Sequence, residues 1–150
     1  MSGFNSNYES VTRTADEVAR LVSEFEACTL PGARWTHEAH LTVGLWYLAR
    51  HDAATATELI RAGIKRYNAA RGVEQTETGG YHETITLFYV RVISRYLRGA
   101  RAGASLAELV AGLMPACGDR ALPFEYYSRE RLFSWAARTS WVEPDLKPLD

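Results

Sequence analysis

The fold is decided by Thr36-His37-Glu38-Ala39-His40-Leu41-Thr42-Val43-Gly44-Leu45-Trp46-Tyr47-Leu48-Ala49-Arg50. Thr36 can cap a helix by accepting a backbone N–H, and the apolar residues after it go almost all the way round a helical wheel. Such a segment cannot lie on a surface, so it predicts a central, largely buried helix. At about 100° per residue, His37, His40, Leu41, Gly44, Tyr47 or Leu48, and His51 share one stripe. Gly44 leaves a gap on that stripe that suits the close approach of a neighbouring helix.

Working outward, the same periodicity recurs on both sides. A helix capped by Thr12 or Thr14 carries Val18, Leu21, Val22 and Phe25 at core spacing and stops by Pro31-Gly32. After the central helix, Asp52 can cap a third helix that runs to about Ala70. Ala56, Leu59, Ile60, Ile64 and Tyr67 are expected inward, and Arg61, Lys65 and Arg66 toward water. The polar loop from Val73 to Gly80 is longer than a tight turn needs and is expected as a flap over the segment around His82.

A fourth helix begins near His82, with His82, Ile85, Phe88 or Tyr89, Val92 or Ile93, and Tyr96 on an apolar stripe. Thr84, Arg91, Arg95 and Arg98 fall on a polar one. Ser105 and Glu108 form a capping-box pattern for a short fifth helix to Leu113, before an irregular turn from Met114 to Asp119. A sixth helix begins after Ser128 with Leu132, Phe133, Trp135 and Ala136. The proline-bearing tail from Trp141 is expected to lie extended across the bundle. No period-two strand pattern is present. The expectation is all-α: an irregular bundle of five or six helices forming a single domain over residues 11–150, preceded by a loose arm over residues 1–10.

Composition narrows the function classes. Apolar residues make up 47% of the 150 positions and charged residues 23%, with a formal net charge of −1. There is no basic excess to attract nucleic acid or an anionic membrane, and no apolar run of about 20 residues to span one. The polar N-terminus does not read as a secretory leader, so the expectation is a soluble, cytoplasmic protein whose partner is a small molecule or a protein, with homo-oligomerisation left open. Cys28 and Cys117 form no C-x-x-C pair and are expected as reduced, packed thiols. No nucleotide-binding motif is present.

The chemistry-bearing residues cluster at two helix starts. Three of the four histidines stand in Trp35-Thr36-His37-Glu38-Ala39-His40-Leu41 and in Gly79-Gly80-Tyr81-His82-Glu83-Thr84-Ile85-Thr86, each motif with a glutamate. The three-residue spacing of His37 and His40 lets both rings reach one ion, and the positive helix end favours the neutral imidazole that a metal needs. His82 is the candidate third ligand to one divalent metal ion. Glu38 or Glu83 would ligate, orient a histidine or act as a base, with hydrolysis or isomerisation of a small polar molecule as the reaction class. His37-Glu38-Ala39-His40 is one residue shorter than the His-Glu-x-x-His of zinc proteases, so that role is not transferred.

Two other readings stand beside this one. In the first, His37 and His40 satisfy buried carbonyls or carboxylates, with His82 paired to Glu38, in a non-enzymatic ligand-binding or assembly module. In the second, a metal-free pocket uses His and Glu as acid and base, with Tyr81, Tyr89, Tyr126 and Tyr127 as candidate walls. His51 lies too far along its helix to join His37, and Arg91, Arg95 and Arg98 read as a solvated face.

The Trp35-Thr36-His37-x-x-His40-Leu41 motif, the Gly80-Tyr81-His82-Glu83-Thr84-Ile85-Thr86 motif and Tyr126-Tyr127-Ser128 with Leu132 resemble the hallmarks of a family of small bacterial all-α proteins. The resemblance spans about residues 35–145. It implies a helical fold and carries no established reaction; Trp35 stands where that pattern more often has Phe.

Overall fold

The computed structural model describes residues 13–149. The arm expected over residues 1–10 and the alternative cap Thr12 lie outside them. Among the described residues seven helices are arranged in order: α1 Ala15–Glu26, α2 His37–Arg50, α3 Ala53–Ala70, α4 Glu83–Gly99, α5 Leu106–Cys117, α6 Arg129–Leu132 and α7 Trp135–Thr139, with short 3-10 turns at Gly32–Arg34 and Leu122–Glu125. There is no strand among the described residues. The chain is an all-α bundle.

Most helix starts are set locally. Thr14 and Glu17 close a capping box on α1, and Ser105 and Glu108 close another on α5. Thr36, Asp52, Ser128 and Ser134 each accept the backbone N–H three residues on. Each bond satisfies a donor that has no partner within the helix, which stabilises a start by ~1 kcal/mol.

The bundle is built round α2, which packs on α1, α3, α4 and α5. Ala39 and every residue from Leu41 to Leu45 are buried, as its all-round apolar sequence requires. Val18, Leu21, Val22 and Phe25 of α1 are all buried. Gly44 lets α4 approach: a Cβ there would lie 3.2 Å from Ile93 Cδ1. Tyr67, 2% exposed, reaches from α3 to donate to the Leu30 carbonyl at 2.7 Å, and Trp35 packs against both Phe25 and Tyr67.

Several elements depart from the sequence expectation. The fifth helix continues through Met114-Pro115-Ala116 to Cys117. The expected sixth helix is two short ones, because Ser134 caps a new helix by accepting from Ala137 N instead of continuing the old one. Phe133 and Trp135 are consequently exposed. Leu59 is exposed rather than inward.

Thr84, expected on the polar stripe, is fully buried. Its hydroxyl donates to the Ser140 carbonyl at 2.8 Å and accepts from Val142 N at 3.2 Å. These bonds tie the extended tail to α4, and Tyr127 Oη donating to the Val142 carbonyl and Ser128 bonding Asp145 extend the attachment. Leu149 closes a small core with Phe88, Tyr127 and Leu132. Cys28 and Cys117 are both free thiols, and burial pushes Cys117 up.

Candidate functional site

The N-terminus of α2 faces α4 across a cavity of about 380 Å³. Leu41, Ile60, Ile64, Ile85, Val90 and Ile93 supply apolar walls, and His37, His40, Tyr89 and Arg120 bring polar groups to it. Tyr89 was among the tyrosines expected to line such a pocket. Arg120, in the connection after α5, carries no sequence signal that would place it here.

Each imidazole has a protonation pattern fixed by its partner, because a carbonyl can only accept. His40 Nδ1 lies 2.7 Å from the Thr36 carbonyl, so Nδ1 carries the proton and Nε2 keeps a lone pair. His37 Nε2 donates to the Gly118 carbonyl at 3.1 Å, leaving its Nδ1 as the acceptor. His40 stacks on Trp35 with ring centroids 3.8 Å apart, and His37 meets Tyr89 edge-on.

Both rings are held neutral. Burial pushes His37 below the ordinary histidine value, helped by the positive charge of Arg120 and opposed by its bond to Gly118. His40 is pushed down to about 4, chiefly by burial, against its bond to Thr36. Yet more than a third of the His40 surface is open. His40 lines the cavity and stacks on Trp35, so much of its open surface faces a recess with largely apolar walls: such a surface is accessible but poorly hydrated, and a cation there is disfavoured.

His82 is not part of this constellation. It is the N-cap of α4: its Nδ1 accepts from Ile85 N at 3.1 Å, and its Nε2 donates to the Leu132 carbonyl at 2.8 Å. Both ring nitrogens are used, and the residue is 8% exposed. Burial, with a contribution from Arg138, holds it neutral against the Leu132 bond. Among the described residues no group of three His, Cys, Asp or Glu side chains is arranged to hold a metal ion. His37 and His40 retain a lone pair each, but the third imidazole expected beside them is committed elsewhere, so the residues present do not form a three-histidine centre.

The two glutamates point away from the histidine cavity. Glu38 pairs with Arg13 at 3.2 Å, not with His82 as one sequence reading had it. Glu83 forms a two-pronged pair with Arg61, Oε1 to Nε at 3.0 Å and Oε2 to Nη2 at 2.7 Å, and also accepts from Tyr81 Oη at 2.6 Å. Burial alone would raise its carboxyl, but the Arg61 and Tyr81 bonds outweigh that and hold it below the ordinary range. Arg61 was expected to face water; its side chain is 25% exposed because α3 presents it to Glu83 across the helix pair.

A second cavity of about 260 Å³ adjoins the first, sharing Trp35, His40, Ile64, Ile85 and Thr86 with it and adding Tyr81 and His82. The loop before α4 borders it and is pinned, not a free flap. The Gln75 amide bonds both N and O of Tyr81, and Arg138 donates to the Glu77 and Gly80 carbonyls. Gly80 supports this path with φ of +90°, where a Cβ would also meet the Gln75 side chain and the Glu74 carbonyl.

No helix among the described residues is long and apolar enough to cross a membrane. Compared with models of protein families, with curated proteins and with solved structures, the chain matches none.

Proposed function

We propose that this protein binds a small, largely apolar molecule in the cavity between α2 and α4, and that His37 and His40 orient it by hydrogen bonding. The observation that carries the reading is the combination of apolar walls with two neutral imidazoles whose free lone pairs are defined by their other bonds. A cavity of about 380 Å³ is within the range of small-molecule sites, where a mostly apolar lining supplies affinity and a few polar groups supply orientation. Tyr89, pushed up to about 12 chiefly by burial, keeps its phenolic proton and donates it to the Asp119 carbonyl at 3.5 Å, a long bond that a ligand acceptor would have to displace.

Binding is favoured over acid–base catalysis. A general base works best with a pKa near the working pH, and an imidazole held at about 4 is a weak proton acceptor at neutrality. Glu38 and Glu83, the candidate catalytic carboxylates, are engaged by arginines instead. His82, the third candidate ligand, holds α4 against α6 in this reading.

The test is titration of the protein with N-phenyl-1-naphthylamine, a neutral apolar fluorophore, in the original chain and in Ile64→Trp, which fills the space where the two cavities adjoin. Saturable fluorescence enhancement that Ile64→Trp abolishes supports the reading. His40→Leu should retain probe binding but lose discrimination between ligands with and without a hydrogen-bond donor. Enhancement of the same size in Ile64→Trp, at an unchanged melting temperature, overturns it.

A further inference from the structure

On the far side of Tyr81 a recess of about 490 Å³ opens between α3, the loop before α4, and α7. Its lining is rich in positive charge, with Arg61, Lys65 and Arg138 against the single carboxylate of Glu83. Glu83 and Glu58 both pair with Arg61. The other two cations have no carboxylate within salt-bridge distance among the described residues.

Arg138 is the unusual one. It is 8% exposed, yet its guanidinium bonds only two neutral carbonyls, Glu77 O from Nε and Gly80 O from Nη1, each at 3.2 Å. Nη2 has no acceptor among the described residues. Since no fully buried side-chain nitrogen among them lacks a partner, Nη2 is reached by solvent, and the recess is the space that Arg138 lines. A guanidinium that has lost most of its water without gaining an anion leaves a planar fork of N–H donors matched to an oxyanion. Lys65 adds a second charge, its ammonium 5.1 Å from the centre of the Tyr81 ring. Trp135, half exposed, offers an indole to the same recess.

We infer that this recess binds a small anion, a carboxylate or phosphate carried on a flat apolar body, with the oxyanion at Arg138 and Lys65 and the body against Trp135. The inference is independent of the histidine cavity. None of Arg138, Lys65 and Trp135 lines that cavity, and each site can fail without the other.

The probes are phenyl phosphate and benzoate, with neutral benzamide as the comparison, titrated calorimetrically into the full chain at low and high salt. Binding is expected for at least one anion, roughly tenfold or more tighter than for benzamide, and weakened by salt. A tighter phenyl phosphate assigns a phosphate head, and a tighter benzoate a carboxylate. Arg138→Gln should abolish binding, Lys65→Gln and Trp135→Ala should each weaken it several-fold, and Arg50→Gln, a charge removed elsewhere on the surface, should leave it unchanged. Arg138 also ties the loop, so if Arg138→Gln does not fold, the exposed Lys65 and Trp135 decide the matter. No binding of either anion up to about 10 mM overturns the inference. So does equal binding of benzamide, or anion binding that Lys65→Gln and Trp135→Ala leave intact.

Discussion

His82 and Leu132 lie fifty positions apart in the chain, and the imidazole Nε2 of one donates to the carbonyl of the other at 2.8 Å. The same ring caps α4 through Nδ1, so one neutral side chain both starts a long helix and fastens a short one to it. His82→Ala removes both bonds and leaves a buried carbonyl without its partner. A loss of ~2–4 kcal/mol is expected from the cap and the stranded acceptor together, read from the urea unfolding midpoint. His82→Asn, which can still cap, should recover part of it. If the two variants are equally and only marginally destabilised, the ring does not have this double role.

Three histidines held neutral make stability depend on pH in a defined direction. The unfolded chain takes up protons around the ordinary histidine value of 6.5, whereas folded His37 and His82 titrate lower and His40 at about 4. Across that interval the unfolded state binds more protons, so stability is full above it and falls as pH drops through it. Glu83 and the exposed carboxylates Glu17, Asp52, Glu108 and Asp145 are held low, and their contribution is lost only at more acid pH. Urea midpoints followed from about pH 7.5 to about pH 4.5 should decline, and His40→Gln should flatten part of the slope. A level profile over that range contradicts the neutral-imidazole assignment.

The Arg61–Glu83 pair joins α3 to α4, with both side chains largely shielded from water. Glu83→Gln replaces a two-pronged charged contact with a weaker one while Arg61 stays beside it. Removing one partner of a shielded pair costs more than an exposed pair contributes, so a loss of ~1–3 kcal/mol is expected in chemical denaturation. Glu58→Gln, whose side chain is 74% exposed, serves as the control and should cost less than about 0.5 kcal/mol.

Gly63 lies where α3 crosses α1, and a Cβ there would stand 2.7 Å from Cε2 of Phe25, a fully buried ring wedged against Trp35 and Tyr67. Alanine would gain ~1 kcal/mol of helix propensity, but forcing a methyl against a ring that cannot yield costs ~1–3 kcal/mol. Gly63→Ala should therefore lower the melting temperature. An increase would mean that the α1–α3 contact is looser than it stands here.

The Thr84 hydroxyl holds the start of the tail on α4. Thr84→Val keeps the shape but strands the Ser140 carbonyl and the Val142 N–H, at a cost of ~1–3 kcal/mol. Limited proteolysis should then cut after Ser140 sooner than in the original chain, and unchanged cleavage there would remove Thr84 as the anchor.

The sequence by itself determined what local physics controls. The central helix results from an apolar run with no polar face, and most helix starts result from a Ser, Thr or Asp bonding a backbone N–H three residues on, a range over which chain neighbours alone suffice. The expectation of a single sixth helix failed within the same logic, since Ser134 is itself a cap that the apolar spacing of Phe133, Trp135 and Ala136 concealed. Tertiary structure decided the distant partners of the chemical groups, such as Gly118 for His37 and Leu132 for His82. His37, His40 and His82 look alike in sequence, all close to a glutamate at a helix start. Yet one ring meets Gly118, one stacks on Trp35 and one meets Leu132. Likewise the partner of Arg61 is 22 residues away, and Arg138 becomes buried only because α7 folds against the loop before α4. Such distant contacts depend on how helices far apart in the chain come together, and no spacing along the chain encodes that.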